Sequence, residues 1–192
     1  MVSLPPSSRK NNMSSPYPPE LVDVLNKGGA AVIRTDTIYG IVGRADNRET
    51  VERIYQIKGR TPEKSPIVLI ANPSDMFDVY DHTVLATLRD YWPGPNSIIL
   101  PSQSGPSWIT RGNESIAYRL PANAALQELL HATGPLIAPS ANPEGLPPAT
   151  TIEQAKQFFG DAIDCYCDGG TITDTTPSSL YLYNNDVLTQ LR

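Results

Sequence analysis

The 192-residue sequence predicts an α/β fold in a single domain, a mixed sheet with helices around it. Segments of helical periodicity alternate with short apolar runs from about Pro18 onward. The alternation is too irregular for a repeating βαβ unit, so a mixed sheet is expected rather than an all-parallel one. No internal repeat and no break in composition marks a second domain, and residues 18–192 read as one unit. The first 17 residues, rich in Pro, Ser and Asn, read as a disordered tail.

The elements follow in order. "PPELVDVLNKGG" sets Pro ahead of Glu20, places Leu21, Val24 and Leu25 on one side and stops at Gly28-Gly29, which predicts a helix. "AAVIR" is a short buried strand, and "TDTIYGIVG", with its glycines and hydroxyls, reads as a loop. Asn47 caps "RETVERIYQIKG", where Val51, Ile54, Tyr55 and Lys58 share one stripe. "PIVLIA" is continuously apolar, as in a strand buried on both faces. Helices are expected around 74–80 and 82–91, then strands in "NSIILP" and "SIAYR", the latter stopped by Pro121. "NAALQELLHATG" is a helix ending at Gly134, and "LIA" is a short strand before a Pro-rich loop. "TIEQAKQFFG" is a helix capped by Thr150 or Thr151, and "SSLYLY" with "VLTQL" predicts a terminal hairpin.

Bulk properties narrow the function. The formal net charge of −5 disfavours a general nucleic-acid binder, which needs a basic face. No apolar run reaches the roughly 18 residues of a membrane span, and the N-terminus lacks the apolar centre of a signal peptide, so a cytoplasmic protein without membrane contact is expected. Cys165 and Cys167 alternate on one face, which fits two reduced packing thiols better than a disulfide or a zinc site. His82 and His131 lie far in sequence from any candidate nucleophile, so a histidine triad is not expected.

Four segments join polar groups to strand ends or loops: "RTDTIYG" (34–40), "KGRTPEK" (58–64), "SIAYR" (115–119) and "PSANPEG" (139–145), with "TPSSL" (176–180) as a weaker fifth. Each has a purely structural reading when taken alone. Lys58 and Arg60 complement a helix C-terminus, Arg119 is an edge charge, and "TDT" and "PSAN" close turns. The phosphate-loop and dinucleotide fingerprints are both absent. Residue chemistry alone therefore ends at an α/β domain with a candidate anion site.

In combination these segments resemble the YrdC-like family. "RTDTIYGIVGRADNRETVERIYQIKGRTPEKSPIVLIA" is similar to its T-[DE]-T-x-Y-G and K-x-R signature, and "YWPGPNSIILP", "AYRLP", "GPLIAPSANPEG" and "DGG" with "PSSLY" follow in the family's order. The resemblance implies a twisted sheet with a large concave cavity. It also implies a nucleotidyltransferase activity that joins L-threonine, bicarbonate and ATP into threonylcarbamoyl-AMP, with release of pyrophosphate, for the t6A modification of tRNA. Mg²⁺ would accompany the ATP, held mainly by its phosphates, with no metal site of the protein's own. A transient contact with the t6A transferase complex is implied, with RNA binding weak or absent. An RNA-binding relative, or a paralogue of altered activity, is the alternative.

Motif positions carry the roles that the resemblance implies. Thr35, Tyr39, Arg119 and Ser178 are expected at L-threonine, with Arg119 pairing its carboxylate in a bidentate fork. Lys58 and Arg60 are expected at the ATP phosphates as the catalytic cations, with Lys64 nearby. Ser115, Ser140, Asn142 and Arg192 complete the expected ATP site. Arg53 is expected to be a solvated helix residue. The chain departs from the family pattern at Arg34, where a proline is usual, at Val42, where many members have glycine, and at Pro148, where many have serine. The extra C-terminal domain of longer members is not expected here.

Overall fold

The computed structural model describes residues 17–192; residues 1–16, most of the expected tail, lie outside the described residues. Tyr17, the first described residue, donates its hydroxyl to the Arg34 carbonyl at 2.9 Å.

The elements are α1 (Pro19–Asn26), β1 (Ala31–Arg34), β2 (Tyr39–Arg44), α2 (Arg48–Lys58), β3 (Ile67–Leu69), α3 (His82–Leu88), β4 (Asn96–Pro101) and α4 (Ser107–Thr110). After them come β5 (Ser115–Arg119), α5 (Ala124–Thr133), β6 (Leu136–Ile137), α6 (Ile152–Phe159), β7 (Cys165–Tyr166), β8 (Ser179–Asn184) and β9 (Val187–Gln190). Several helices begin where a side chain can satisfy their open N–H groups, while α1 and α4 start after a proline without such a cap. Asn47 accepts from Thr50 N, Asn123 from Leu126 N and Thr151 from Gln154 N, each such cap contributing about 1 kcal/mol.

Two sequence expectations are corrected. "YGIVGR" is not a loop but β2, paired antiparallel with β1 and with β6. Its glycines serve close packing: a Cβ on Gly43 would lie 2.5 Å from Thr50 Cγ2 and 2.8 Å from Ile54 Cδ1, so the glycine lets α2 sit directly on the strand. The helix expected near 74–80 is a single 3₁₀ turn, Pro73–Asp75, because Asp75 turns back onto the backbone N–H groups of Ala71 and Asn72. The short helix α4 was not expected.

The described strands form one mixed sheet in the order β7-β1-β2-β6-β3-β5-β4-β8-β9. The β1–β7, β3–β5 and β4–β8 pairs are parallel and the others antiparallel. On one face α2, α3, α4 and α6 close the larger core around Val32, Ile41, Val68, Ile98 and Tyr118. On the other, Leu21 and Leu25 of α1 and Leu126, Leu129 and Leu130 of α5 pack on Ile33, Val42, Leu69 and Leu136. That second cluster contains no residue of β4, β5 or β8, so this half of the face is left free of helices. Arg119 pairs in register with Leu69 and therefore points to that open half.

Arg53 stays partly exposed, as expected of a solvated helix residue, but it is also paired. It forms a bidentate pair with Asp164 at 2.6 and 3.0 Å and donates to the Ala162 carbonyl, tying α2 to the segment that leads into β7.

Candidate functional site

Where Arg119 reaches the open half of the sheet face, a cavity of about 420 Å³ lies between it, the β1–β2 turn and the loop after β6. Thr35, Arg60, Arg119, Ser140, Asn142, Ser178 and Arg192 of the expected site all line it, with Thr37, Ile67 and Pro148 among others. Residues as far apart in sequence as Thr35 and Arg192 thus reach one space through the ends of β1, β5 and β6, the turn after α2 and the terminal hairpin.

One end of the cavity is buried. The tight turn between β1 and β2 directs the Thr35 hydroxyl onto the Ile38 carbonyl at 2.7 Å, with Thr37 beside it. Arg119 closes β5 and is 4% exposed. Its Nη2 lies 3.1 Å from Asp36 Oδ1 and its Nη1 is 3.5 Å from Thr37 Oγ1. The Asp36 contact is an ion pair without hydrogen-bond alignment, since Oδ1 accepts no hydrogen bond and Arg119 Nε also lacks a partner. Burial lowers the Arg119 pKa, Asp36 opposes that, and the charge of Arg192 adds to it. Burial raises the Asp36 carboxyl pKa, against the pull of Arg119. Two cations in the wall of one cavity, with a single carboxylate against the more buried of them, make an anion receptor.

Ser178 is 3% exposed, and its hydroxyl meets that of Ser97 at 2.9 Å. Its carbonyl accepts both Nε and Nη2 of Arg192, at 3.3 and 3.0 Å, which holds that guanidinium in the cavity wall.

The other end is open to solvent. Gly59, in the left-handed conformation at φ 60°, stops α2 and turns Arg60 toward the cavity. Arg60 donates to the carbonyls of Lys64 and Ser65 at 3.2 and 3.1 Å, so its own turn fixes it. Lys64 does not line the cavity; its ammonium pairs with Glu144, which also accepts the Thr61 N–H at 2.5 Å and the Thr61 hydroxyl at 3.0 Å. Lys64, Thr61 and Glu144 therefore clasp the turn after α2 to the loop after β6.

Lys58 departs from the expected placement. It is 3% exposed, is absent from the cavity wall and donates to the carbonyls of Ser140 and Asn142. The helical stripe that buries Val51, Ile54 and Tyr55 carries Lys58 inward with them, and the ammonium satisfies itself on the nearest carbonyls. Burial, helped by Arg60, pushes its pKa down to about 8. Lys58 thus shapes the loop that presents Ser140 and Asn142. Asn142 donates to the Pro143 and Leu146 carbonyls, while its Oδ1 is buried without a partner.

Two further expected residues stand outside the wall. Ser115 lies at the far end of β5, four residues or roughly 13 Å from Arg119. Tyr39 is fully buried; its hydroxyl donates to Gly170 O at 2.9 Å and accepts from Gly169 N at 2.8 Å, bracing the "DGG" turn. At the departures, Arg34 donates to the Gly169 carbonyl and packs so closely that a Cβ on Gly169 would lie 2.5 Å from its own Cβ. Val42 faces the α1–α5 core, and Pro148 offers the cavity no hydroxyl. Asp36 and Glu144, both inside quoted motifs, were missed because a motif does not tell which cation a carboxylate will face.

The residues that line the cavity include no carboxylate, so they do not fit a bare Mg²⁺ ion. Among the described residues, no group of three or more His, Cys, Asp or Glu side chains is placed to hold a metal, and no helix is long and apolar enough to cross a membrane.

Comparison with known proteins places this arrangement. The profile of the Sua5–YciO–YrdC family, described as Telomere recombination, matches residues 23–192. A threonylcarbamoyl-AMP synthase of Pseudomonas aeruginosa is 36% identical over 163 residues, covering 81% of this chain and 86% of that protein. A threonylcarbamoyl-AMP synthase of Marinobacter nauticus is 33% identical over 159 residues, covering 80% and 84%. Among solved structures, P. abyssi Sua5 complexed with L-threonine superposes with a TM-score of 0.80 at 28% identity, over 90% of this chain but 52% of that one. The chain therefore spans about half the length of that Sua5. E. coli YciO, at 22% identity and a TM-score of 0.78, shares the fold.

Proposed function

Since the chain belongs to the Sua5–YciO–YrdC family, we propose that it is a nucleotidyltransferase that makes threonylcarbamoyl-AMP for the t6A modification of tRNA. Its substrates are L-threonine, bicarbonate and ATP, and its products threonylcarbamoyl-AMP and pyrophosphate. The observation that carries this reading is the meeting of the family's motif residues in one cavity with a buried guanidinium, Arg119, at one end and the less buried Arg60 and Arg192 at the other.

The chemistry suits that division. The threonine amino group takes up the carbon of bicarbonate to give a carbamate, with loss of water. A carbamate oxygen then bonds to the α-phosphorus of ATP while the bond to the bridging oxygen of pyrophosphate breaks. The carbamate is already an anion, so the step needs no histidine base; it needs cations where charge gathers and reactants held in line. At the buried end, Arg119 receives the threonine carboxylate, with Thr35 and Ser178 beside it. Asp36 holds the guanidinium in place before substrate arrives. At the open end, Arg60 and Arg192 face the phosphates, Lys64 stands at the rim, and Ser140 and Asn142 line the nucleotide side. Lys58 acts by positioning that loop. Any Mg²⁺ would be held by the nucleotide phosphates and not by protein carboxylates, and would offset phosphate charge alongside Arg60 and Arg192. The protein would work in the cytoplasm and pass its product to a transferase complex.

The test is to supply the protein with ATP, Mg²⁺, bicarbonate and L-threonine. Pyrophosphate release should require both threonine and bicarbonate. Equal release with serine, or with no amino acid, sinks the assignment.

A further inference from the structure

We propose that the turn at residues 110–114 is a positioning element for Arg60, acting through the ring of Tyr55. The inference rests on the reading of Arg60 as a phosphate ligand and adds a part that does not touch the cavity.

Arg111 is the centre of it. Its side chain is 10% exposed, and it spends one nitrogen on Glu52 at 3.2 Å. Nε and Nη2 are buried and have no partner. Buried donors left unpaired are costly, so something else must hold this cation in place. That partner is aromatic: the guanidinium carbon lies 3.9 Å from the centroid of the Tyr55 ring. Such contacts strengthen as water is excluded.

The same ring carries Arg60, whose guanidinium carbon is 5.5 Å from its centroid. The Tyr55 hydroxyl donates at 2.6 Å to the Lys64 carbonyl, which also accepts from Arg60 Nε. Tyr55 therefore supports Arg60 through its face and holds the turn of Arg60 through its hydroxyl. Arg111 fixes the ring in turn.

Backbone geometry points the same way. Arg111, Gly112 and Glu114 have φ values of 54°, 81° and 51°, three left-handed residues within four positions, two of them not glycine. Such conformations persist only where the surroundings impose them, and they gather at functional sites. The surroundings here are the Arg60 turn itself. Asn113 Nδ2 donates to the Glu63 carbonyl and to Ser65 Oγ, and Ser65 Oγ donates to the Thr110 carbonyl. The two turns are thus fastened at their backbones and at the Tyr55 ring.

The experiment compares Arg111→Met, Arg111→Lys and Tyr55→Leu with the parent in the pyrophosphate-release assay, with thermal melting of each protein alongside. Arg111→Met should raise KM for ATP about two- to fivefold, the worth of one such contact, at unchanged KM for threonine. Arg111→Lys should recover part of the loss, and Tyr55→Leu should exceed it. An unchanged KM for ATP in a folded Arg111→Met protein overturns the proposal. So does an equal rise for both substrates that tracks a lower melting temperature, since that marks general destabilisation. A calorimetric titration with inorganic triphosphate separates this from failure of the enzymatic reading. If the parent protein shows no threonine-dependent turnover yet binds triphosphate, weaker binding by Arg111→Met still upholds the positioning role. Absent or equal triphosphate binding overturns it.

Discussion

Arg119 and Arg60 present a guanidinium to the same cavity by different means. Arg119 is 4% exposed, sits at the end of a central strand and faces a carboxylate, Asp36, across 3.1 Å. Arg60 sits on a turn open to solvent, where two backbone carbonyls hold it. Burial makes the first charge strong and inflexible, because removing either partner strands the other in a dry site. Partial exposure makes the second cheaper to build and easier to supplement, since water screens what its neighbours lack. A site for a single carboxylate is best made the first way. A polyphosphate, which brings several charges of its own, is well served by the second.

The sharpest way to break this contrast is Arg119→Ala. It should weaken threonine binding by about tenfold to a hundredfold, the worth of a charged hydrogen bond, and lower stability by about 3–5 kcal/mol by leaving Asp36 unpaired. Adding Asp36→Asn should restore much of the stability and none of the binding. Calorimetric binding together with denaturant unfolding checks both, and unchanged threonine affinity would remove Arg119 from its role.

Lys58 is intermediate, a buried cation serving the loop of the open end. Lys58→Met should cost about 1–3 kcal/mol through the two carbonyls it leaves unpaired. Its pKa of about 8 lies below the usual lysine value, so between about pH 8 and 10.5 the unfolded chain binds a proton that the folded one does not. The cost of burying its charge is therefore present below about pH 8 and is relieved as pH rises through that window. The parent should gain stability relative to Lys58→Met over that range in unfolding titrations; a flat difference would contradict the burial of a charged amine.

The smallest effect belongs to Lys64→Ala. Its pair with Glu144 is exposed, with Lys64 57% accessible, and should contribute no more than about 1 kcal/mol. The KM for ATP should rise slightly and that for threonine not at all. A loss as large as that of Arg119→Ala would erase the distinction between the two ends.

Much of this was legible in the sequence where chemistry is local. Asn47, Gly59 and Thr151 announce helix ends because caps act over three or four residues. Motif order drew attention to Thr35, Arg119, Ser140 and Ser178, and all four line one cavity. β2 was hidden, because its glycines and hydroxyls suit a loop until β1 and β6 flank it. The direction of Lys58 was hidden as well: a long amphipathic side chain at the end of a buried stripe has two destinations, and the tertiary fold chooses between them. Tyr55 was assigned to the core stripe, yet its hydroxyl and the face of its ring serve the Arg60 turn.

β6 consists of two residues, Leu136 and Ile137, and it lies between β2 and β3. Among the described residues, the ladder passes from one half of the sheet to the other through β6, a segment that follows β3 by more than 60 positions. During synthesis the β1–β2 pair can form as soon as it emerges, and β3 must wait. Closure of the sheet is then a late, long-range event of the kind that slows folding. The cavity, whose wall draws on both halves and on the hairpin that follows them, cannot be complete before that stitch is made.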